Sequence, residues 1–470
     1  MRLSTSVMRR YFTRHRTSTE SISRPNVCIV GSGPAGFYTA KYLIKSHPTI
    51  RVTILEALPT PFGLVRYGVA PDHPEVKSVT NDFEAVAKDA RVTLLANVAV
   101  ESDDITINDL KTWYDAVVLA YGATDDKKLG IPGEDTLDGI ISARDFVNWY
   151  NGHPTTTTTP RHVKNSENVV VIGQGNVSLD CARILLKDVK DLCHTDISSS
   201  ALSYLNGLTS NKKISIVGRR GSAQAAFTIK ELREISKITR IGLRRDELDA
   251  SLTKASKEEI SKSRAKTRIA KLFEQIYSTD TTSTSKLDIR FLLSPIAFIA
   301  DTVDSSKVGA VRVERMELSG PPDAQVVKGT GVTLDIPASL VIRSIGYKVE
   351  SLNDSLPLRD NYISNDKGRV CEKLYVVGWC KRGPSGIIGS NIQDAKETVY
   401  SILSDLTSSS SSSSSDDNVI EQIIKRVPSA ITYEQVCRIH SHEETQGSIV
   451  GKPREKVVSI ETMLDIANKN

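Results

Sequence analysis

Six cysteines in 470 residues, with no Cys-x-x-Cys pair among them, leave little room for thiol chemistry. Cys28, Cys181, Cys193, Cys371, Cys380 and Cys437 offer no neighbouring dithiol of the kind a flavin disulfide reductase needs beside its flavin. They offer no clustered thiolates either, so neither a zinc site nor an iron–sulfur cluster carried by this chain is expected, and no metal is assigned. Long apolar runs are missing as well: none approaches the roughly 20 residues of a membrane-spanning helix. Acid is absent from the first 19 residues, which carry Arg2, Arg9, Arg10, Arg14 and Arg16 among several Ser and Thr. That is the composition of a mitochondrial transit peptide, with cleavage expected near residues 17 to 24 and the mitochondrial matrix as destination. The remainder, 25% charged and 39% hydrophobic, is ordinary for a globular protein and long enough for two domains with substantial cores. A net charge of +5 decides little, and no nucleic-acid partner is expected.

What the chain does have is glycine in two telling places. Gly31-Ser32-Gly33-Pro34-Ala35-Gly36 follows the apolar run Asn26 to Val30 and precedes a helix pattern from Phe37 to Lys45. Glycines so placed let the backbone turn tightly and approach a pyrophosphate, whose charge is held by free amides at a helix N-terminus. After a β-rich run, Arg51 to Leu55, Glu56 stands 25 residues beyond Gly31, where a carboxylate accepts the hydrogen bonds of an unphosphorylated ribose. The second loop, Gly173-Gln174-Gly175-Asn176-Val177-Ser178, is entered from the strand Asn168 to Ile172. Its next strand, Ile214 to Val217, delivers Arg219 and Arg220 instead of an acid. Two guanidiniums there suit a ribose 2′-phosphate. The pair therefore reads as FAD first and NADP second. Ser178 takes the place of the usual third glycine, and Arg219 lies 46 residues after Gly173 because a helix-like insertion, Thr195 to Leu205, intervenes.

The fold class that follows is α/β, with two Rossmann-like dinucleotide-binding domains, the NADP domain inserted in the FAD domain. Tyr114 to Gly122 reads as the strand and glycine turn where the chain leaves the first domain, and Leu340 to Tyr347 as the one that leads back. The expected division is residues 1–24 as transit peptide, 25–123 as the first FAD-binding part, 124–344 as the NADP-binding domain and 345–470 as the second FAD-binding part with a C-terminal tail. Lys373 to Trp379 is a strand ending in a glycine, of the kind that closes over a flavin. Thr155 to Thr159 and the serine run Ser408 to Ser415 read as low-complexity surface insertions. The tail beyond them reads as an appended subdomain.

Longer motifs narrow the reading. Pro61-Phe62-Gly63-Leu64-Val65-Arg66-Tyr67-Gly68-Val69-Ala70-Pro71-Asp72-His73-Pro74, Phe227-Thr228-Ile229-Lys230-Glu231-Leu232-Arg233-Glu234, Gly378-Trp379-Cys380-Lys381-Arg382-Gly383-Pro384 and Gly451-Lys452-Pro453-Arg454-Glu455-Lys456 have no generic dinucleotide-fold explanation. Together with the two glycine loops, this order resembles the mitochondrial adrenodoxin reductase family, the NADPH:ferredoxin oxidoreductases, from about residue 25 to the C-terminus. The resemblance implies that Ala35, Glu56, Leu64 and Val100 contact FAD, with Trp379 and Gly386, Ile387 and Ile388 closing on the flavin. It implies NADP contacts at Gln174, Gly175, Asn176 and Val177, at Arg219 and Arg220, at Glu231, and at Gly386 on the nicotinamide side. It also places His73 and Asp180 near flavin and nicotinamide as the catalytic pair; otherwise they are a turn-stabilising histidine and a first-turn acid that suits the helix dipole. Cys380 after Trp379 and Ser222-Ala223 after Gly221 depart from the family pattern.

The implied partner is a [2Fe-2S] ferredoxin of the adrenodoxin type, which is acidic. Lys262, Arg264, Lys266, Arg268 and Lys271 fall in ten residues without an acid, and on a helix Arg264, Arg268 and Lys271 share one face. That face is the expected docking surface, with Lys381 and Arg382 beside Trp379 as second contacts. Peripheral association with the inner mitochondrial membrane stays open. Two rival readings remain: a flavin-containing NADPH subunit of the glutamate synthase type, which would carry cysteine-rich cluster motifs upstream, and a non-catalytic NADPH-binding sensor.

Overall fold

A computed structural model of the chain describes residues 24–156, 167–207, 212–278, 285–407 and 416–469. Residues 1–23 of the expected transit peptide, most of the threonine-rich run and the serine run lie outside these residues.

The first sheet is built on Asn26–Val30, whose five residues are all buried. Val27 and Ile29 pack into one apolar cluster and Cys28 and Val30 into another, on the opposite face. A strand covered on both faces needs a continuous apolar run, and this explains why the segment lacks polar alternation. Asn26–Val30 sits between Ala116–Leu119 and Arg51–Glu56, parallel to both, and Val92–Ala96 follows beyond Arg51–Glu56. The seven-stranded sheet is completed by Leu374–Val376 and Arg369–Cys371 at one edge and by Ile431–Thr432 at the other.

The second sheet is wholly parallel, in the order Ile140–Ser142, Leu340–Arg343, Asn168–Ile172, Lys213–Val217, Leu287–Arg290, Ile241–Leu243. Val169 and Val171 face a helical core, while Val170 and Ile172 face the other way. On that second face the chain places an antiparallel sheet of Leu293–Ala300, Val308–Ser319 and Val326–Pro337, with Val311 and Val313 in the core. Nothing in the sequence reading anticipated this layer.

The chain enters and leaves the second unit through a two-stranded antiparallel ribbon, Asp125–Asp126 against Tyr347–Lys348. The inserted segment holds two helices, Val189–Leu192 and Ser199–Asn206. The tail is not an appended subdomain. Ile431–Thr432 pairs with the strand Val92–Ala96, and Met463, Ile466 and Ala467 enter the core of the first unit. Burial of that apolar surface makes the tail part of the fold.

Candidate functional site

Both glycine loops close on positions where a side chain would not fit. Gly31 has φ +107°, and a Cβ there would lie 2.7 Å from Ala120 O. Gly173 has φ +127°, and its Cβ would collide with Ser344 O. At Gly33 and Gly175 the opposite holds, since a Cβ at either would meet no atom within 4 Å. These two glycines are the N-caps of Pro34–Ser46 and Asn176–Leu186, and neither helix has a side-chain cap. Ser or Thr caps the helices Ala143–Tyr150, Ser199–Asn206, Ile229–Ile238 and Tyr433–Ile449. The two dinucleotide helices thus present first-turn amides beside open space, which suits a pyrophosphate.

The rest of the first site assembles around Gly33. Glu56 Oε2 accepts from Ser32 N at 3.0 Å and Ser32 Oγ at 2.5 Å, while Oε1 accepts from Leu58 N at 3.0 Å, so the carboxylate is fixed at the mouth of the loop. Phe62 N donates to Ser32 O, which brings Gly63, the residue before Leu64, against Gly33. Val98 N donates to Glu56 O, which places Val100 near the carboxylate end of the strands. From the return strand, Gly378 adopts φ +71° with Ala35 packed beneath it, and this positions Trp379. Ile388 packs against the core of this unit.

A cavity of about 860 Å³ runs from the second loop to Trp379. Its lining includes Gly173–Val177, Arg219, Arg220, Gly346, Tyr347, Gly386 and Ile387. The volume suits a dinucleotide-sized ligand. Arg219 and Arg220 are exposed, and neither guanidinium has an ion-pair partner among the described residues. Arg144, which the sequence reading missed, lines the same cavity. Thr228 N donates to Asn176 Oδ1 at 2.8 Å, so the Phe227–Glu234 motif is fastened to the second loop.

That fastening carries Glu231 and Glu234 to the junction of the two units, where His73 and Asp180 also meet. His73 Nε2 lies 2.9 Å from Glu234 Oε2 and 4.0 Å from Glu231 Oε2. Arg183, fully buried, reaches Asp72 at 2.9 Å, Asp180 at 2.8 Å and Glu231 at 3.3 Å. Burial opposes ionisation of Asp72, but the Arg183 and Lys187 cations overcome it and hold the carboxyl at about 2. Asp180 goes the other way, because burial, reinforced by Glu231 and opposed by Arg183 and His73, pushes it up to about 6. His73, Asp180 and Glu231 stand within 4.8 Å of one another, and the Arg183 guanidinium supplies positive charge to both carboxylates. Glu231 faces this cluster, whereas Thr228 lines the cavity. The pairings of Arg183, Asp72 and Glu234 went unnoticed in the sequence, although Asp72 and Glu234 stand in the quoted motifs, because they span 111 and 161 positions.

The comparisons agree with this geometry. Residues 25–237 match the pyridine nucleotide-disulphide oxidoreductase family. Mitochondrial NADPH:adrenodoxin oxidoreductase of Arabidopsis thaliana is 42% identical over 98% of this chain and 100% of its own length. The Homo sapiens protein of the same name is 38% identical over 96% and 93%. The solved structure of Mycobacterium tuberculosis FprA in complex with NADPH superposes with a TM-score of 0.88 at 37% identity, over 95% of this chain and all of that one. The chain belongs to the NADPH:adrenodoxin oxidoreductase family.

Within this family assignment, the expected docking cations divide. Arg264, Arg268 and Lys271 are exposed on the helix Arg264–Ser278, without ion-pair partners among the described residues. Lys266 is held by Glu259 at 2.8 Å and Asp323 at 3.2 Å. Lys381 is corrected outright: it is buried, with Asp394 and Glu397 each at 2.7 Å, and its charge is consumed inside the fold. Arg382 is likewise turned inward, donating to Asn391 Oδ1 at 3.1 Å and to Ser385 O. Neither presents a free charge beside Trp379.

Proposed function

We propose that the chain passes electrons from NADPH through FAD, one at a time, to a [2Fe-2S] ferredoxin in the mitochondrial matrix. The observation that carries this reading is the pairing of two glycine loops with opposite endings, Glu56 at one and, at the other, Arg219 and Arg220, which are exposed and without ion-pair partners among the described residues. In this reading residues 25–123 and 345–470 hold FAD, and 124–344 hold NADP.

Bound FAD supplies the chemistry no side chain here offers, accepting a hydride and releasing electrons singly. The protein's part is to bind, orient and exclude. Arg219 and Arg220 select the 2′-phosphorylated nucleotide by charge-assisted hydrogen bonds. Gly173 to Val177 hold the pyrophosphate, while Gly386 and Trp379 bound the nicotinamide end of the cavity. His73 and Asp180, tied to Glu231, Glu234 and Arg183, fix the junction where the two cofactors meet and give it groups able to hold a proton.

No helix among the described residues is long and apolar enough to cross a membrane. The mitochondrial relatives and the arginine-rich leader support the matrix. Cytochrome c reduction by NADPH, with and without an adrenodoxin-type ferredoxin, tests the reading. Ferredoxin-dependent reduction is expected, whereas nucleotide binding without turnover would leave a sensor.

A further inference from the structure

The motif Gly451-Lys452-Pro453-Arg454-Glu455-Lys456 touches neither loop nor the cavity. Its side chains instead cross from one α/β unit to the other. Asp196, in the inserted segment of the second unit, takes Lys77 of the first unit at 2.6 Å and Lys456 of the tail at 3.0 Å. Lys456 Nζ also reaches Arg66 O at 3.3 Å and Asn151 Oδ1 at 3.4 Å, one acceptor from each unit. Asn151 in turn donates to Tyr67 O at 3.0 Å.

The neighbours of Lys456 repeat the pattern. Lys452 Nζ donates to Ile197 O at 2.9 Å, and Glu455 accepts from Ser199 N at 3.1 Å and Ser199 Oγ at 2.7 Å, at the first turn of the inserted helix Ser199–Asn206. The same segment is fastened to the first unit: Glu455 N donates to Glu443 O at 2.8 Å and Val457 N to Glu443 Oε1 at 3.0 Å. Gly447 of the helix Tyr433–Ile449 makes room for this crossing, since a Cβ there would collide with the Arg454 backbone. The side chain of Lys456 is 1% exposed and that of Asp196 11%, so solvent screens these charges little.

We propose that residues 452–456 form a strap which sets the angle between the two α/β units, with Lys456 and Asp196 acting as positioning residues for hydride delivery between the two cofactor sites. The proposal rests on the function given above. Hydride transfer falls steeply with distance, and a donor displaced by about 1 Å costs on the order of a hundredfold in rate. The ribbon Asp125–Asp126 with Tyr347–Lys348 is a two-strand connection at one side of the units, and Asp72–Arg183 and His73–Glu234 join them at the junction. The strap holds them at a further place, through groups that do not line the cavity.

The test is single-turnover flavin reduction in the FAD-loaded protein under saturating NADPH, comparing the unsubstituted chain with Asp196→Asn and Lys456→Met. The two variants should retain FAD and the unsubstituted dissociation constant for NADPH, while flavin reduction slows by roughly ten- to a hundredfold. The deuterium isotope effect from NADPH labelled at the transferring position should persist or grow. Lys456→Arg should recover much of the rate, because it keeps the charge. Glu455→Gln, at the better-exposed rim of the strap, should slow reduction less. Unchanged reduction rates in variants that keep their FAD would overturn the proposal. So would loss of FAD from both Asp196→Asn and Lys456→Met, which would make the strap a folding element. If the unsubstituted protein itself fails to reduce its flavin with NADPH, the functional reading fails and not the strap.

Discussion

His73 and Glu234, 161 positions apart, meet at 2.9 Å across the junction of the two α/β units. His73 belongs to the turn after Leu64–Tyr67 in the first unit, and Glu234 to the helix Ile229–Ile238 in the second. The contact ties the Phe227–Glu234 motif, fastened to the second glycine loop through Thr228 and Asn176, to the Pro61–Pro74 motif of the first unit. Arg183 braces it from below through Asp72 and Glu231.

Asp180 gives this cluster a pH signature. Its value in the folded chain, about 6, lies above the ordinary 3.8, so the native state binds the proton more tightly than the unfolded one. The cost to stability is therefore present above about pH 6 and is relieved as the pH falls towards about 4. Asp180→Asn should flatten the pH dependence of denaturation across that window, with Arg183 still held by Asp72. Parallel pH profiles for the two proteins would show that Asp180 titrates normally.

Arg219→Ala or Arg220→Ala should weaken use of NADPH and leave NADH almost untouched. A charge-assisted hydrogen bond contributes roughly 1.5 to 3 kcal/mol, so each loss should be roughly ten- to a hundredfold in kcat/KM. Equal losses with the two nucleotides would make the arginines structural. FAD content is the control, since both residues line the cavity at the second loop, whose lining does not include Gly33.

The tail should prove indispensable. Glu443 is fully buried and accepts from Arg66 at 2.5 Å; burial would raise its pKa, but Arg66 overrides this and holds it low. Removing one partner of such a pair strands the other charge and costs about 3 to 5 kcal/mol. Glu443→Ala should therefore release FAD at a distinctly lower denaturant concentration than the unsubstituted chain. An unchanged midpoint would restore the picture of an appended tail.

Docking of ferredoxin is expected on the exposed face of Arg264–Ser278. Charge reversal at Arg264 and Arg268 should raise KM for ferredoxin and flatten its dependence on salt, because long-range attraction fades as the Debye length shrinks to roughly 10 Å at 0.1 M. Reduction of ferricyanide by NADPH, which needs no docked protein, should stay near normal. Unchanged ferredoxin kinetics would remove this helix from the interface, and Lys381 and Arg382, already paired inside the fold, offer no replacement.

Both glycine loops, Glu56 and the Arg219-Arg220 pair were legible in the sequence because their chemistry is local: a turn, a helix start and one residue at the end of the next strand. The junction was not, because Arg183 becomes significant only when Asp72 and Glu231 reach it from other segments. Lys381 misled for the same reason. A lysine beside Trp379 reads as a surface cation until Asp394 and Glu397, on the following helix, are seen to bury and neutralise it. The antiparallel layer under the second sheet was missed because Val170 and Ile172 look alike whether a helix or a sheet covers them.

The most direct measurement is the visible spectrum of the purified protein during anaerobic addition of NADPH, followed by oxidised [2Fe-2S] ferredoxin. The expected result is a flavin spectrum that bleaches with NADPH, responds far more weakly to NADH, and returns as ferredoxin is added. A colourless protein that cannot be reconstituted with FAD, or a bleached flavin that ferredoxin fails to reoxidise, would contradict electron transfer from NADPH to ferredoxin through this chain.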